Sequence, residues 1–240
     1  METEYQLITR EIAHKGTAYL LIRRCKPEGV RELLRRAAGA AAGYGAKRLL
    51  AASLDSSAPL SEGQWEGLRL THVHDMHLLE REMETCPPAG AVALVPLEAD
   101  RDEEWLTLYN AGFFHVPNAA AYEQADLDTL RTEGRLCGFA QAEGQTVGVY
   151  ELDLTCQPPE ISGIALAPVF RGRGLGRALL RGVLALLFQE GASRCRLTVS
   201  TGNPTAYGLY LAEDFQFLKV KSQWYDVALS SGCPEDQGEI

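Results

Sequence analysis

Between Ile161 and Leu180 the chain runs from an apolar stretch through Pro168 into Arg171-Gly-Arg-Gly-Leu-Gly176 and then a long apolar segment. That is the order of a strand, a turn and glycines opening a helix. Bare glycines at such a junction let backbone amides approach an anion, and the start of a helix adds favourable partial charge. Gly172, Gly174 and Gly176, interleaved with Arg171, Arg173 and Arg177, therefore make a candidate cradle for a pyrophosphate. The G-x-x-x-x-G-K-[ST] phosphate loop is absent, and the spacing G-x-G-x-G is not the dinucleotide spacing G-x-G-x-x-G, so those two nucleotide readings drop out.

The elements that must position this turn follow from periodicity and breakers. A strand is expected from Glu160 to Ala167 and a helix from Gly172 to Gln189, with Leu175, Leu179, Val183 and Leu186 on one face. A strand from Arg194 to Ser200, a helix from Thr205 to Ala212 and a terminal strand pair from Phe215 to Leu229 complete this part. Before it come a short strand at Val92, helices near Glu103 to Gly112 and Asp126 to Thr132, and a hairpin from Gly134 to Asp153 turning at Glu143-Gly144. Upstream, strands from Tyr5 to Ile12 and Thr17 to Cys25 read as a hairpin turning at His14-Lys-Gly16. A helix opened by Pro27 ends near Gly43 to Gly45, a strand spans Arg48 to Ser53, and a strand pair lies between Gly67 and Glu80. Glu84 to Gly90, ending Cys-Pro-Pro-Ala-Gly, is the best linker, dividing the chain into residues 1–90 and 91–240. Gly45-Ala-Lys-Arg and Gly191-Ala-Ser-Arg each end a helix before a strand, and Leu68 to Leu79 matches Phe215 to Asp226. The first part thus reads as a shortened copy of the end of the second.

Two motifs in the right order make the resemblance specific. Arg171-Gly-Arg-Gly-Leu-Gly176 resembles the acyl-CoA motif R/Q-x-x-G-x-G/A of the GNAT superfamily of N-acetyltransferases. Asn203-Pro-Thr-Ala-Tyr-Gly-Leu-Tyr210, followed by a turn and Phe215, is similar to the family's N-x-x-A-x-x-x-Y. The resemblance covers about Val92 to Leu229. The first half carries Cys25-Lys-Pro-Glu-Gly-Val30 in place of the glycine motif, so the whole resembles a tandem of one degenerate and one intact domain. The implied fold is α/β (α+β), a mixed central sheet with helices on both faces, preceded by a truncated half whose role is structural.

The resemblance also implies roles. Acetyl-CoA is the expected co-substrate, with no metal. Its pantetheine arm would bond to the backbone of Ile164, Ala165 and Leu166 where two parallel strands part, and its pyrophosphate would lie on the amides from Gly172 to Arg177. Leu175, Asn203, Ala206 and Tyr207 complete the cofactor set. Transfer to an amine needs loss of the amine's proton, stabilisation of the oxyanion and a proton for the thiolate. Tyr210 stands at the general acid's position, the Leu166 amide faces the thioester oxygen, and Glu160 stands near where histone-modifying relatives place a carboxylate base. A non-catalytic acyl-CoA sensor or structural module is the alternative, since it too would keep the glycine motif. Asp214 departs from the family, which usually has Gly in that turn.

The acceptor is expected to be a primary amine of a small molecule or peptide. Asn110, Phe113, Phe114, His115, Asn118 and Tyr122 mix aromatic walls with polar groups between two helices and are the pocket candidates, although core packing accounts for the phenylalanines equally well. His72-Val-His-Asp-Met-His77 splits its ligands between two strand faces, so a solvated strand is expected there in place of a metal site. The net charge of −9 argues against nucleic acid and anionic membranes as partners. The acidic start, the lack of a spanning apolar segment and six dispersed cysteines lead to the expectation of a cytoplasmic monomer or homodimer with reduced thiols.

Overall fold

The computed structural model describes residues 3–88 and 91–229. In chain order the elements are β1 (Glu4–Ile8), α1 (Glu11–Lys15), β2 (Thr17–Arg24), α2 (Val30–Gly43), β3 (Arg48–Ser53), β4 (Gly63–Trp65) and β5 (Leu68–Glu82). There follow β6 (Ala93–Pro96), α3 (Asp102–Phe113), α4 (Gln124–Leu130), β7 (Arg135–Ala142), β8 (Gln145–Asp153) and β9 (Glu160–Leu166). The chain continues through α5 (Leu175–Gln189), β10 (Arg194–Ser200), α6 (Pro204–Leu211) and β11 (Gln216–Ala228). Among the described residues no helix is long and apolar enough to cross a membrane.

Two compact units divide the chain: residues up to Met76 with those from Lys221, and residues His77–Val220. The divisions fall inside β5 and β11, not at the expected linker, because nothing in Leu68–Glu82 or Gln216–Ala228 breaks a strand. Each of these stretches is one long strand where a strand pair was expected. Ala89 and Gly90, at the linker's end, lie outside the described residues.

In the first unit β2 and β3 run parallel on either side of α2 and stay paired through six positions, from Thr17↔Arg48 to Ile22↔Ser53. Val30, Leu33, Leu34, Ala37, Ala38 and Ala41 form the buried stripe of α2. The link between β1 and β2 is α1 and not a tight turn. Tyr225 and Asp226 of β11 pair with β3.

The second unit repeats part of this plan. Parallel β9 and β10 flank α5, and β6, β7, β8 and β9 form an antiparallel run. Both α2 and α5 end the same way: Gly45 and Gly191 take φ of 83° and 88°, and the next residue's amide reaches back to Ala41 O and Leu187 O. Helices cover both faces of this sheet. Leu179, Leu180, Val183 and Leu184 of α5 pack with Ala140, Val147 and Leu152, whereas Trp105 and Tyr109 of α3 and Leu127 of α4 pack with Cys137, Phe139 and Val149. A bulge tunes this alternation: Glu151 faces Gly163 and Leu152 faces Ile161, which leaves Ser162 unpaired. Ile161 thereby joins the α5 side while Gly163 lies against Tyr109 and Phe113 on the α3 side.

Close approach of β8 to β9 depends on Gly148, where a Cβ would come 2.2 Å from the Ala165 carbonyl oxygen. Gly148→Ala is expected to destabilise the second unit by about 1–3 kcal/mol, as overpacking against fixed backbone does, read as a lower denaturation midpoint in urea.

Candidate active site

The parallel pair of the second unit opens where that of the first stays closed. Arg196 pairs with Glu160 and Leu197 with Ile161, and there the register stops, while β9 continues against β8 to Leu166. Ile164, Ala165 and Leu166 thus keep one bonded edge and turn the other toward an opening between the strands. The 3-10 turn Pro168–Phe170 leads from the end of β9 to the glycines. Gly172 and Gly174 adopt φ of 74° and 79°, which moves the start of the helix from the expected Gly172 to Leu175. The first amides of α5 have no carbonyl one turn back to bond. Nothing lies within 4 Å of a Cβ built on Gly172 or Gly174, so the cradle is open. Gly176 sits between Leu209 of α6 and Leu166 of β9, joining the three elements that carry the motifs.

The arginines of the motif divide their duties. Arg171 turns back onto the protein, its Nε donating to Leu166 O at 3.2 Å and its Nη2 to Gly112 O at 3.0 Å, so it braces the end of β9 against α3. Arg173 stays near the Phe170 ring. Arg177 pairs with Glu213 at 3.1 Å, and Arg181 holds the same carboxylate with two bonds of 2.9 Å. Arg81 of β5 donates to the Glu213 carbonyl at 2.7 Å. The buried Glu213, just past α6, therefore ties α6 to α5 and β5.

Asn203 caps α6, its side chain accepting from the Ala206 amide at 3.3 Å. Tyr207 and Tyr210 lie in the same apolar cluster as Ile164, Leu166, Leu175 and Ala206. Burial pushes the Tyr210 phenol up to about 12, so it holds its proton throughout the physiological range. Its ring stands edge-on to Phe215, 5.8 Å away. Tyr207 is bonded through its hydroxyl to His77 Nδ1 at 2.9 Å, a partner the sequence reading had set aside with the rest of His72–His77. Asp214 does adopt φ of 63°, the conformation for which Gly would be the easier residue.

Glu160 stands at the foot of the opening, its carboxylate accepting from Arg196 Nε at 3.1 Å. A second carboxylate lies on β8, where Glu151 faces Gly163 and Asp153 faces Glu160. Glu151 is 2% exposed and accepts from the Tyr122 hydroxyl at 3.2 and 3.3 Å. Burial, ahead of every other influence, raises its carboxyl above the usual range, against the opposing pull of Tyr122 and Arg135. The readable signal was a charge two residues after Val149 on an apolar strand.

The six acceptor candidates have different surroundings. The Asn110 amide is spent on the backbone of Tyr122, donating to its carbonyl at 2.9 Å and accepting from its amide at 2.8 Å, so it is a strap and not a free contact. Phe113 and Tyr122 pack on Tyr109, with ring centres 4.4 and 4.6 Å away. Phe114 is exposed and stands edge-on to His115. Asn118, at φ of 59°, keeps both amide atoms buried without a hydrogen-bond partner among the described residues. A concavity of about 310 Å³ lined by Leu154, Pro159 and Arg194 lies at the paired end of β9 and β10 and contains none of the motif residues.

Comparison with known proteins agrees with this geometry. The acetyltransferase (GNAT) family model matches residues 95–215. A mycothiol acetyltransferase of Clavibacter sepedonicus is 31% identical over 150 residues, 60% of this chain and 48% of that protein. Another, of Thermobispora bispora, is 30% identical over 190 residues, 68% of this chain and 64% of that one. The chain spans about half the length of several of the curated relatives it matches. Among solved structures, a GCN5-related N-acetyltransferase of Sphaerobacter thermophilus has a TM-score of 0.57 at 15% identity, covering 94% of this chain and 75% of that one. A conserved protein of unknown function from Staphylococcus epidermidis scores 0.59 at 14%, covering 88% and 84%. With the glycine motif in the turn after β9, the second motif on α6 after β10 and the family model spanning both, the chain belongs to the GNAT acetyltransferase family.

Proposed function

We propose that this protein transfers an acetyl group from acetyl-CoA to the primary amine of a small molecule by direct attack. The observation that carries the reading is the end of β9–β10 pairing at Ile161, beside a turn whose amides are free to hold a pyrophosphate. Pantetheine supplies the missing edge of Ile164–Leu166, and its phosphates take the amides from Gly172 to Arg177. The mycothiol acetyltransferases among the relatives make the amine of a small thiol the leading acceptor class, with a peptide amine as the other.

Each chemical need then has a group. The oxyanion meets backbone amide on β9, the residue proposed being Leu166. Tyr210, neutral and in the same cluster as the strand, gives its proton to the departing thiolate. Glu160 places a negative charge at the foot of the opening, suited to an incoming ammonium group. The first unit has no such opening and no glycine motif, and its role is structural.

Two measurements test this. Calorimetric titration is expected to show micromolar acetyl-CoA binding that Gly174→Glu abolishes; a wild type that does not bind would defeat the cofactor assignment. Tyr210→Phe is expected to keep that affinity while lowering kcat by about 100-fold or more, the range for a lost general acid. Binding with no CoA release by any amine would favour the sensor reading.

A further inference from the structure

His77 and Arg81 stand outside both motifs, yet each is bonded to the segment that carries Tyr210. They lie on β5 on either side of Leu79, and the three share one face of that strand. Leu79 is fully buried in the cluster that holds α5 and Phe215, and just past the strand the Met83 amide donates to Ser193 O at 2.8 Å. This part of β5 is therefore anchored without help from α6. It belongs to the second unit, which begins at His77, although the family model begins only at residue 95.

Helix α6 needs such an anchor. Its eight residues, Pro204–Leu211, are too few to be stable alone, and its cap Asn203 bonds within the helix and not to the sheet. Six residues of α5 are buried and none of α6, so less packing holds α6 in place. Two bonds to β5 add what packing leaves out. The Tyr207 hydroxyl and His77 Nδ1 share a hydrogen bond of 2.9 Å, and the His77 ring stands edge-on to Tyr207 at 5.7 Å and to Phe217 at 4.8 Å. Beyond the other end of the helix, Arg81 Nη1 donates to the Glu213 carbonyl at 2.7 Å. Tyr210 lies midway in sequence between Tyr207 and Glu213. Its carbonyl accepts from the amides of Glu213 and Phe215, each at 3.1 Å, and Phe215 shares the Leu79 cluster.

We propose, building on the acetyltransferase reading, that His77 and Arg81 are positioning residues that hold α6 on either side of Tyr210 and so fix where its phenol stands as the sulfur departs. Neither gives or takes a proton. His77 acts through Tyr207, whose hydroxyl is spent on that bond while its ring remains for the cofactor. Arg81 acts through the backbone of Glu213. A strand segment that precedes the family-matched residues thus supplies part of the geometry of the reaction.

His77→Phe keeps an aromatic ring beside Phe217 and removes the bond, and Tyr207→Phe removes the same bond from the other side. With acetyl-CoA and S-methylcysteamine as probes, each is expected to lower kcat about 10-fold with acetyl-CoA affinity unchanged, within the ~100-fold that an ångström of misplacement costs. The double variant is expected to lose no more than either alone, since one bond is at stake. His77→Asn, whose side-chain amide reaches where Nδ1 stood, is expected to be faster than His77→Phe. Unchanged kcat in His77→Phe overturns the inference, and so do losses that multiply in the double variant or a His77→Asn as slow as His77→Phe. A fall in kcat matched by a lower Tm and lost acetyl-CoA binding also overturns it, because the effect is then on folding. Wild type that binds acetyl-CoA yet releases no CoA with any amine would instead defeat the enzymatic reading. Carbon NMR of protein labelled in its tyrosine rings needs no acceptor. The Tyr210 signal, identified by its loss in Tyr210→Phe, is expected to move in both His77→Phe and Tyr207→Phe, and a signal that stays in place overturns the proposal.

Discussion

Everything at the candidate site depends on two strands that stop bonding to each other. β9 and β10 share only the pairs Glu160↔Arg196 and Ile161↔Leu197, after which backbone polar groups lack the ladder that a parallel sheet would give them. Such groups need either water or a ligand with matching donors and acceptors, and an amide-bearing pantetheine has both. The bulge at Ser162 contributes by placing Gly163 on the α3 face, where there is room for the aromatic stack but not for a side chain. Beyond Leu166 the 3-10 turn leads from that edge to the open glycines Gly172 and Gly174.

The parting has to be held open, and the electrostatics of the second unit serve that need. Arg171 bonds the last carbonyl of β9 and the Gly112 carbonyl, so the strand's end is fixed from a direction other than β10. Glu213 gathers Arg177 and Arg181 from α5 and Arg81 from β5 around one buried carboxylate. Ion pairs of this kind add little net stability, but losing one partner leaves a buried charge exposed to a large penalty. Their effect is therefore positional: one carboxylate ties the end of α6, which carries Tyr210, to α5, which the glycine turn opens.

Much of this was legible in the sequence, and what was not has physical reasons. The glycine turn was readable because positive-φ glycines before a helix are a local signal, Asn203 and Tyr210 were singled out only through the family resemblance, and β10 was located to the residue because breakers bound it. The long strands β5 and β11 were misread as pairs, since expected length favoured two short strands and nothing local revealed a continuous one. The two bonds from Asn110 to the Tyr122 backbone were not legible, because residue type cannot tell whether an amide faces a ligand or a neighbouring backbone. Glu151 and Glu213 became visible only through partners distant in the chain, Tyr122, Arg135 and Arg81 among them.

The closed pair β2–β3 is the counterpart of that opening. Six paired positions stand there where β9 and β10 keep two, so the facing edges of β2 and β3 are bonded to each other along their length. A ligand that bonds along a strand edge would have to break several of those hydrogen bonds together before it could enter, whatever glycines stood at Cys25-Lys-Pro-Glu-Gly-Val30. Whether an edge can take a ligand is thus set by the neighbouring strand's register before any side chain is considered.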